Sequence, residues 1–256
     1  MTVRIETAAG RANITIDDPE RRNPMSVATM EGLLEATEAA VADPEVRVLV
    51  YTGAGDRAFS AGGDLGGSFA DDPIGLHRER GLLADLFRLM HRGGKPTVAR
   101  VNGDCLAGGF GLAVACDVTI CVDEARLGVP EIGVGLWPMM ISAILIRAMP
   151  RKAVLEMMLT GRLVTPEEAQ RLGAVSQVVA RSELDGAVDR VVEALMSASP
   201  VITMLGRDAF YDIGDSGFDV ALDRLQGGLT AVMSTEDATE GVSAFVEKRQ
   251  ARWTGR

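Results

Sequence analysis

Two short runs rich in β-branched residues, Val3 to Glu6 and Ala12 to Ile16, flank Ala8-Ala9-Gly10 and predict a hairpin. Ser26 can cap a helix running to about Val41, with apolar Met30, Leu33, Leu34 and Val41 near one face, and Pro44 closes the loop that follows. Val46 to Tyr51 is mostly apolar and alternates poorly, as a strand covered on both faces does. A helix from about Gly75 to Met90 and a second such strand, Thr97 to Val101, come next. Gly108 to Ala115 then reads as helix and Val118 to Val122 as strand. From Arg151 onward the pattern is helical almost throughout, with only Val175 to Val179 reading as strand. Thr165 caps Pro166-Glu167-Glu168, where proline at the first helical position and an acidic first turn favour a helix start. Ser182, Ser199 and Thr235 open further helical segments. Strands and helices alternating first, then helices alone, predict an α/β core with a helical C-terminal part.

The 256 residues allow one large domain, or a domain with a helical appendage. With 36 acidic and 26 basic side chains the formal charge is −10, which argues against a nucleic-acid partner. The longest apolar stretch, Gly135 to Ile146, ends at Arg147 and is too short to cross a bilayer, which needs about 20 residues. No apolar run follows a basic start in Met1 to Gly10, so no secretory signal is expected and the expected location is the cytoplasm. Cys105, Cys116 and Cys121 are odd in number and lack paired spacing, as thiols of a reducing compartment do.

Glycine is the compositional anomaly, at 29 residues, and it gathers at strand ends. Gly53-Ala54-Gly55 follows one predicted strand and Ala61-Gly62-Gly63-Asp64 comes soon after; Gly103 and Ala107-Gly108-Gly109 follow the next. A strand ending in small residues and entering a helix presents free N–H groups at a positive dipole end, where a ligand can approach the backbone closely. Two such loops on neighbouring strands could aim two N–H groups at one oxygen, the geometry of an oxyanion hole. A single glycine-rich turn would be only a tight connection, and neither GxxxxGK[ST] nor GxGxxG occurs here. Ser60 lacks the first glycine of a GxSxG elbow, because Ala58 stands there. His77 and His91 read as surface positions on one polar helix and make a poor metal site.

These segments together resemble the crotonase (enoyl-CoA hydratase/isomerase) superfamily. Ala58-Phe59-Ser60-Ala61-Gly62-Gly63-Asp64-Leu65 resembles its first oxyanion-hole segment and Asn102 to Gly111 its second. Val129-Pro130-Glu131 to Pro138 resembles the segment that carries a catalytic glutamate. Arg22-Asn23-Pro24-Met25 and the stretch from Glu240-Gly241 to Arg249 match its early signature and its C-terminal helix. The resemblance implies a repeated ββα spiral core, residues 1–195, and a helical C-terminal trimerisation region, residues 196–256. It implies an acyl-CoA thioester as substrate, with coenzyme A part of that substrate, no separate cofactor and no metal. The Ala61 and Gly108 amides would hold the thioester oxygen, and Glu131 would act as acid and base. Arg22, Gly63, Asp64, Leu65, Trp137 and Lys248 would line the CoA and acyl path, Lys248 toward this or a neighbouring subunit of a homotrimer or hexamer.

Hydratases of the superfamily use two glutamates, and Gly111 stands at the second position. One carboxylate can take a proton from one carbon and return it to another, so double-bond isomerisation is favoured. Pro130 fixes the backbone before Glu131, and burial among its largely apolar neighbours would raise its pKa and suit it to that task. The alternatives are a hydratase with a substitute base, Glu79 or Asp85 being the candidates, and an acyl-CoA-binding protein without catalysis.

Overall fold

The computed structural model describes residues 2–64 and 73–256. The chain opens with β1 (Val3–Ala8) and β2 (Arg11–Ile16), an antiparallel hairpin in which Ala8 faces Arg11. Ala9 and Gly10 both have positive φ, 48° and 80°, the mirror-image turn whose twist matches the strands. Helix α1 (Val27–Ala42) follows, capped by the Ser26 hydroxyl on the Thr29 N–H.

Three strand–strand–helix units come next. The first comprises β3 (Val48–Gly53), β4 (Ala58–Ser60) and α2 (Pro73–Arg92). The second comprises β5 (Thr97–Val101), β6 (Asp104–Leu106) and α3 (Gly108–Ala115). The third comprises β7 (Val118–Val122), β8 (Leu127–Gly128), a 3₁₀ turn at Pro130–Val134 and α4 (Met139–Ala148). In each unit the first strand joins a large sheet and the second a small one. This is the repeated ββα spiral that the resemblance implies.

The remaining elements are α5 (Arg151–Thr160), β9 (Leu163–Val164), α6 (Pro166–Arg171) and β10 (Gln177–Val179), then α7 (Leu184–Ser197), α8 (Pro200–Ile213), α9 (Phe218–Met233) and α10 (Glu236–Glu247). The six-stranded sheet runs β1-β2-β3-β5-β7-β10, parallel except for the hairpin. Its central strands are buried on both faces, which accounts for their near-continuous apolar sequences. The four-stranded sheet runs β4-β6-β8-β9, with the first three strands parallel.

Thr165, Ser199 and Thr235 cap α6, α8 and α10 as their sequences predict. Ser182 does not cap: α7 begins at Leu184, behind a 3₁₀ turn at Arg181–Glu183. His77 is exposed, but His91 is half-buried with its ring 4.3 Å from that of Tyr211, and burial lowers its pKa. That contact belongs to an anchor between α8 and the core. Arg207 donates to Asp117 at 2.9 Å and to the His91 carbonyl at 3.1 Å, while the Tyr211 hydroxyl donates to the other Asp117 oxygen. Thr97 donates to Asp117 through both its N–H and its hydroxyl.

Candidate active site

The small sheet assembles the site. Parallel β4, β6 and β8 lie side by side, so their carboxyl ends share one edge. Gly63 follows the end of β4, Gly108 the end of β6 and Glu131 the end of β8. Ligands of parallel sheets characteristically bind at this edge, because loops there converge while the strands hold them apart at fixed spacing. Two hydrogen bonds fix the neighbours: Ala107 N–H donates to the Gly128 carbonyl at 2.8 Å, and Met25 N–H donates to the Gly62 carbonyl at 2.7 Å. The first two turns touch, since a Cβ placed on Gly62 would lie 2.5 Å from that of Ala107.

Two buried asparagines hold the first turn. Asn23 donates to the carbonyls of Ala54 and Ala58 and accepts from the Asp18 N–H. Asn102 exchanges hydrogen bonds with the Gly53 backbone and donates to the Gly55 carbonyl. Both are nearly inaccessible, and each pairs backbone groups that would otherwise be orphaned inside the protein. Asn23 belongs to the Arg22–Met25 signature and Asn102 opens the second oxyanion-hole segment, but nothing in the sequence marks either as a clamp of the first turn.

One expected donor is corrected. The Ala61 N–H donates to the Arg22 carbonyl at 2.9 Å, so it is committed to the scaffold and cannot also hold a substrate oxygen. Gly62 N–H points to the Ser60 hydroxyl, 3.3 Å away, which places that serine in a packed turn and not as a nucleophile. The Gly63 N–H has no acceptor among the described residues, and Gly63 is exposed. Gly108, the first residue of α3, likewise has an N–H without an acceptor among the described residues, at the positive end of the helix. Ala107 ahead of it has φ 51° and ψ −126°, a strained conformation of the kind that functional turns retain.

Glu131 sits in the first turn of the 3₁₀ segment after Pro130. Its Oε2 is buried and has no hydrogen-bond partner among the described residues. Desolvation raises its pKa above the ordinary glutamate value, against a smaller opposing effect from its own backbone. A half-buried carboxylate with one unsatisfied oxygen is costly to fold, and such groups concentrate where protons are moved.

The other expected residues divide. Arg22 is exposed in a left-handed conformation, and its carbonyl holds the first turn. Asp64 pairs with Arg21 at 2.7 Å. Leu65 lies outside the described residues. Trp137 is half-buried and packs against the core beside the Glu131 turn. Lys248 ends α10, which packs on α8 and α9, and the structure does not bring it to the strand-end loops. Of the two substitute bases, Asp85 is exposed and paired with Arg88. Glu79 is half-buried, one turn before Leu83 on α2; the Gly108 position is approached by the side chains of Met25 and, from α2, Leu83.

Comparison with known proteins places this architecture. The structure superposes on an enoyl-CoA hydratase from Mycobacterium smegmatis with a TM-score of 0.94, at 30% identity and 99% coverage of both chains. It superposes equally well, at 27% identity, on the human enoyl-CoA hydratase domain-containing protein 3. The fold is therefore that of the crotonase superfamily. A Thermus thermophilus protein provisionally named an enoyl-CoA hydratase is 38% identical over 246 residues, 94% of this chain and 96% of the relative. A carnitinyl-CoA dehydratase of Salmonella enteritidis is 33% identical over 252 residues, 95% and 94% of the two chains. The model of the enoyl-CoA hydratase/isomerase family matches residues 6–256, and the chain belongs to that family.

Proposed function

We propose that the protein moves a double bond along an acyl-CoA, holding the thioester oxygen between the Gly63 and Gly108 amides and shuttling a proton on Glu131. Loss of a proton beside a thioester leaves an enolate whose charge collects on the carbonyl oxygen. Two preorganised N–H groups at that oxygen stabilise the charge, and removal of one such donor typically costs about 10²–10³ in rate. The observation that carries the reading is the unpartnered, desolvated Glu131 at the same sheet edge as two free amides. Coenzyme A enters as part of the substrate, and the proposal needs no separate cofactor.

A second reading, water addition or removal, draws on the names of the relatives and on Glu79. Glu79, Leu83 and Phe87 share one face of α2, and the last two approach Gly108 and Gly111. The two readings separate in one assay. A 3-enoyl-CoA converted to its conjugated 2-enoyl isomer gains ultraviolet absorbance, whereas hydration of a 2-enoyl-CoA loses it. Isomerisation without hydration supports the first reading; hydration that Glu79→Gln abolishes replaces it with the second.

The same reading takes the protein as a homo-oligomer, a trimer or a pair of trimers. Phe218, Leu222, Leu225, Leu229 and Met233 repeat at helical spacing along α9, and α9 has no buried residue within the single chain. A cytoplasmic location is part of this proposal, and no helix among the described residues is long and apolar enough to cross a membrane.

A further inference from the structure

Residue 111 lies one turn beyond Gly108 on α3, on the same side of the helix. A Cβ there would lie 2.7 Å from the Cβ of Ile141, closer still to its Cγ2, and 3.5 Å from Cζ of Phe87. Cβ atoms essentially never come within 3.0 Å of such neighbours, so Ile141 bars a side chain there while the Phe87 distance is ordinary packing. Ile141 is 3% exposed, and its neighbours on α4, Ile144 and Leu145, are buried as well. A β-branched side chain in a helix has essentially one rotamer, so Ile141 cannot swing aside. The backbone of α3 and the side chain of Ile141 therefore fill the space that a second carboxylate would need.

We infer that Ile141 determines the reaction specificity of this site: by packing on Gly111 it excludes both a second acid/base and the water such a group would activate. This rests on the reading of Glu131 above. Isomerisation needs no added atom. Glu131 takes the proton from the carbon beside the thioester of a 3-enoyl-CoA, and the electron pair passes to the carbonyl oxygen. As the carbonyl reforms, the conjugated electrons capture a proton from Glu131 at the fourth carbon, leaving the double bond between carbons two and three. Hydration adds one water across that bond, its hydroxyl to the third carbon, and the water must lose a proton to an acceptor as it attacks. The wall formed by Ile141 and Phe87 offers hydrocarbon only.

The steric part is tested by thermal unfolding of Gly111→Ala, Ile141→Gly and the pair. The singles should each lower Tm, and the double variant should lose clearly less than the sum of the two losses. Additive losses overturn the packing argument. The chemical part is tested by the ratio of water addition to isomerisation, which a merely structural role would leave unchanged. The folded Gly111→Glu/Ile141→Gly protein should raise that ratio at least tenfold over the parent, and Ile141→Ala, which retains the Gly111 backbone, at least threefold. A ratio equal to the parent's in both variants, with acyl-CoA still bound, overturns the inference. A parent protein that turns over no enoyl-CoA while the thermal coupling persists would mark a failure of the functional reading and not of the packing.

Discussion

At the scale of single residues, the site turns on groups left without partners. Glu131 retains a buried, unsatisfied oxygen, and its raised pKa fixes the sign of two pH effects. A carboxyl whose folded-state pKa is raised binds more protons in the native than in the unfolded state between the two pKa values. Stability contributed by this group therefore falls as pH rises from the ordinary glutamate value, about 4.3, through the raised one, and stays low above it. Glu131→Gln should accordingly gain Tm relative to the parent at pH 8, with the difference shrinking toward pH 4. A difference independent of pH would deny that the carboxyl is desolvated. As a base, the same group should give kcat/KM an acid limb with its inflection above the ordinary glutamate range, which a pH–rate profile measures. Which amide is free was not legible in the sequence. Ala61 and Gly63 belong to one small-residue turn, and only the hydrogen bond from Ala61 to the Arg22 carbonyl separates them.

At the scale of elements, α1, α3 and the strands of the large sheet announce themselves through caps and apolar runs; α3 and β7 have the limits that the sequence predicts. The small sheet gives no such signal, because strands of two or three residues carry no period. Only the glycines at their ends betray them. Helix α4 is hidden in an apolar run whose burial pattern is set by what packs on it, so Ile141 could not be read as the lid over Gly111. The contact between the first two turns makes a sharp prediction. Gly62 has φ 93° and no room for a side chain against Ala107, so Gly62→Ala should push the turns apart. Enoyl-CoA turnover should fall at least tenfold; full activity would show that the spacing of the turns does not govern the site. Helix α8 is held by a buried ion pair whose arginine side chain is 7% exposed. Removing one partner of such a pair typically costs about 3–5 kcal/mol, because the other is left buried and uncompensated. Arg207→Ala should lower the unfolding free energy by about that amount in denaturant titration, and a loss below about 1 kcal/mol would place the anchor elsewhere.

At the scale of the whole molecule, the repeating unit explains the division of labour. Each turn of the spiral gives one strand to a large sheet that carries the core and one to a small sheet whose strand ends carry the proposed site. The repeat is invisible in the sequence because the loops and helices between successive strand pairs differ greatly in length. The apolar stripe of α9 stays 37–77% exposed within one chain, and it is the surface that the proposed oligomer would cover. Light scattering coupled to gel filtration should give a mass of three or six chains, and Leu229→Asp should shift it toward one; a parent protein of one chain would remove the oligomer from the account. The most direct test of the converging strand ends is exchange of the protons beside the thioester of a saturated acyl-CoA in deuterated water, followed by NMR. The parent should catalyse that exchange, and Glu131→Gln should bind the thioester with similar affinity while exchanging at least a thousandfold more slowly. Equal exchange by the two proteins would contradict the assignment of Glu131 and with it the site as described.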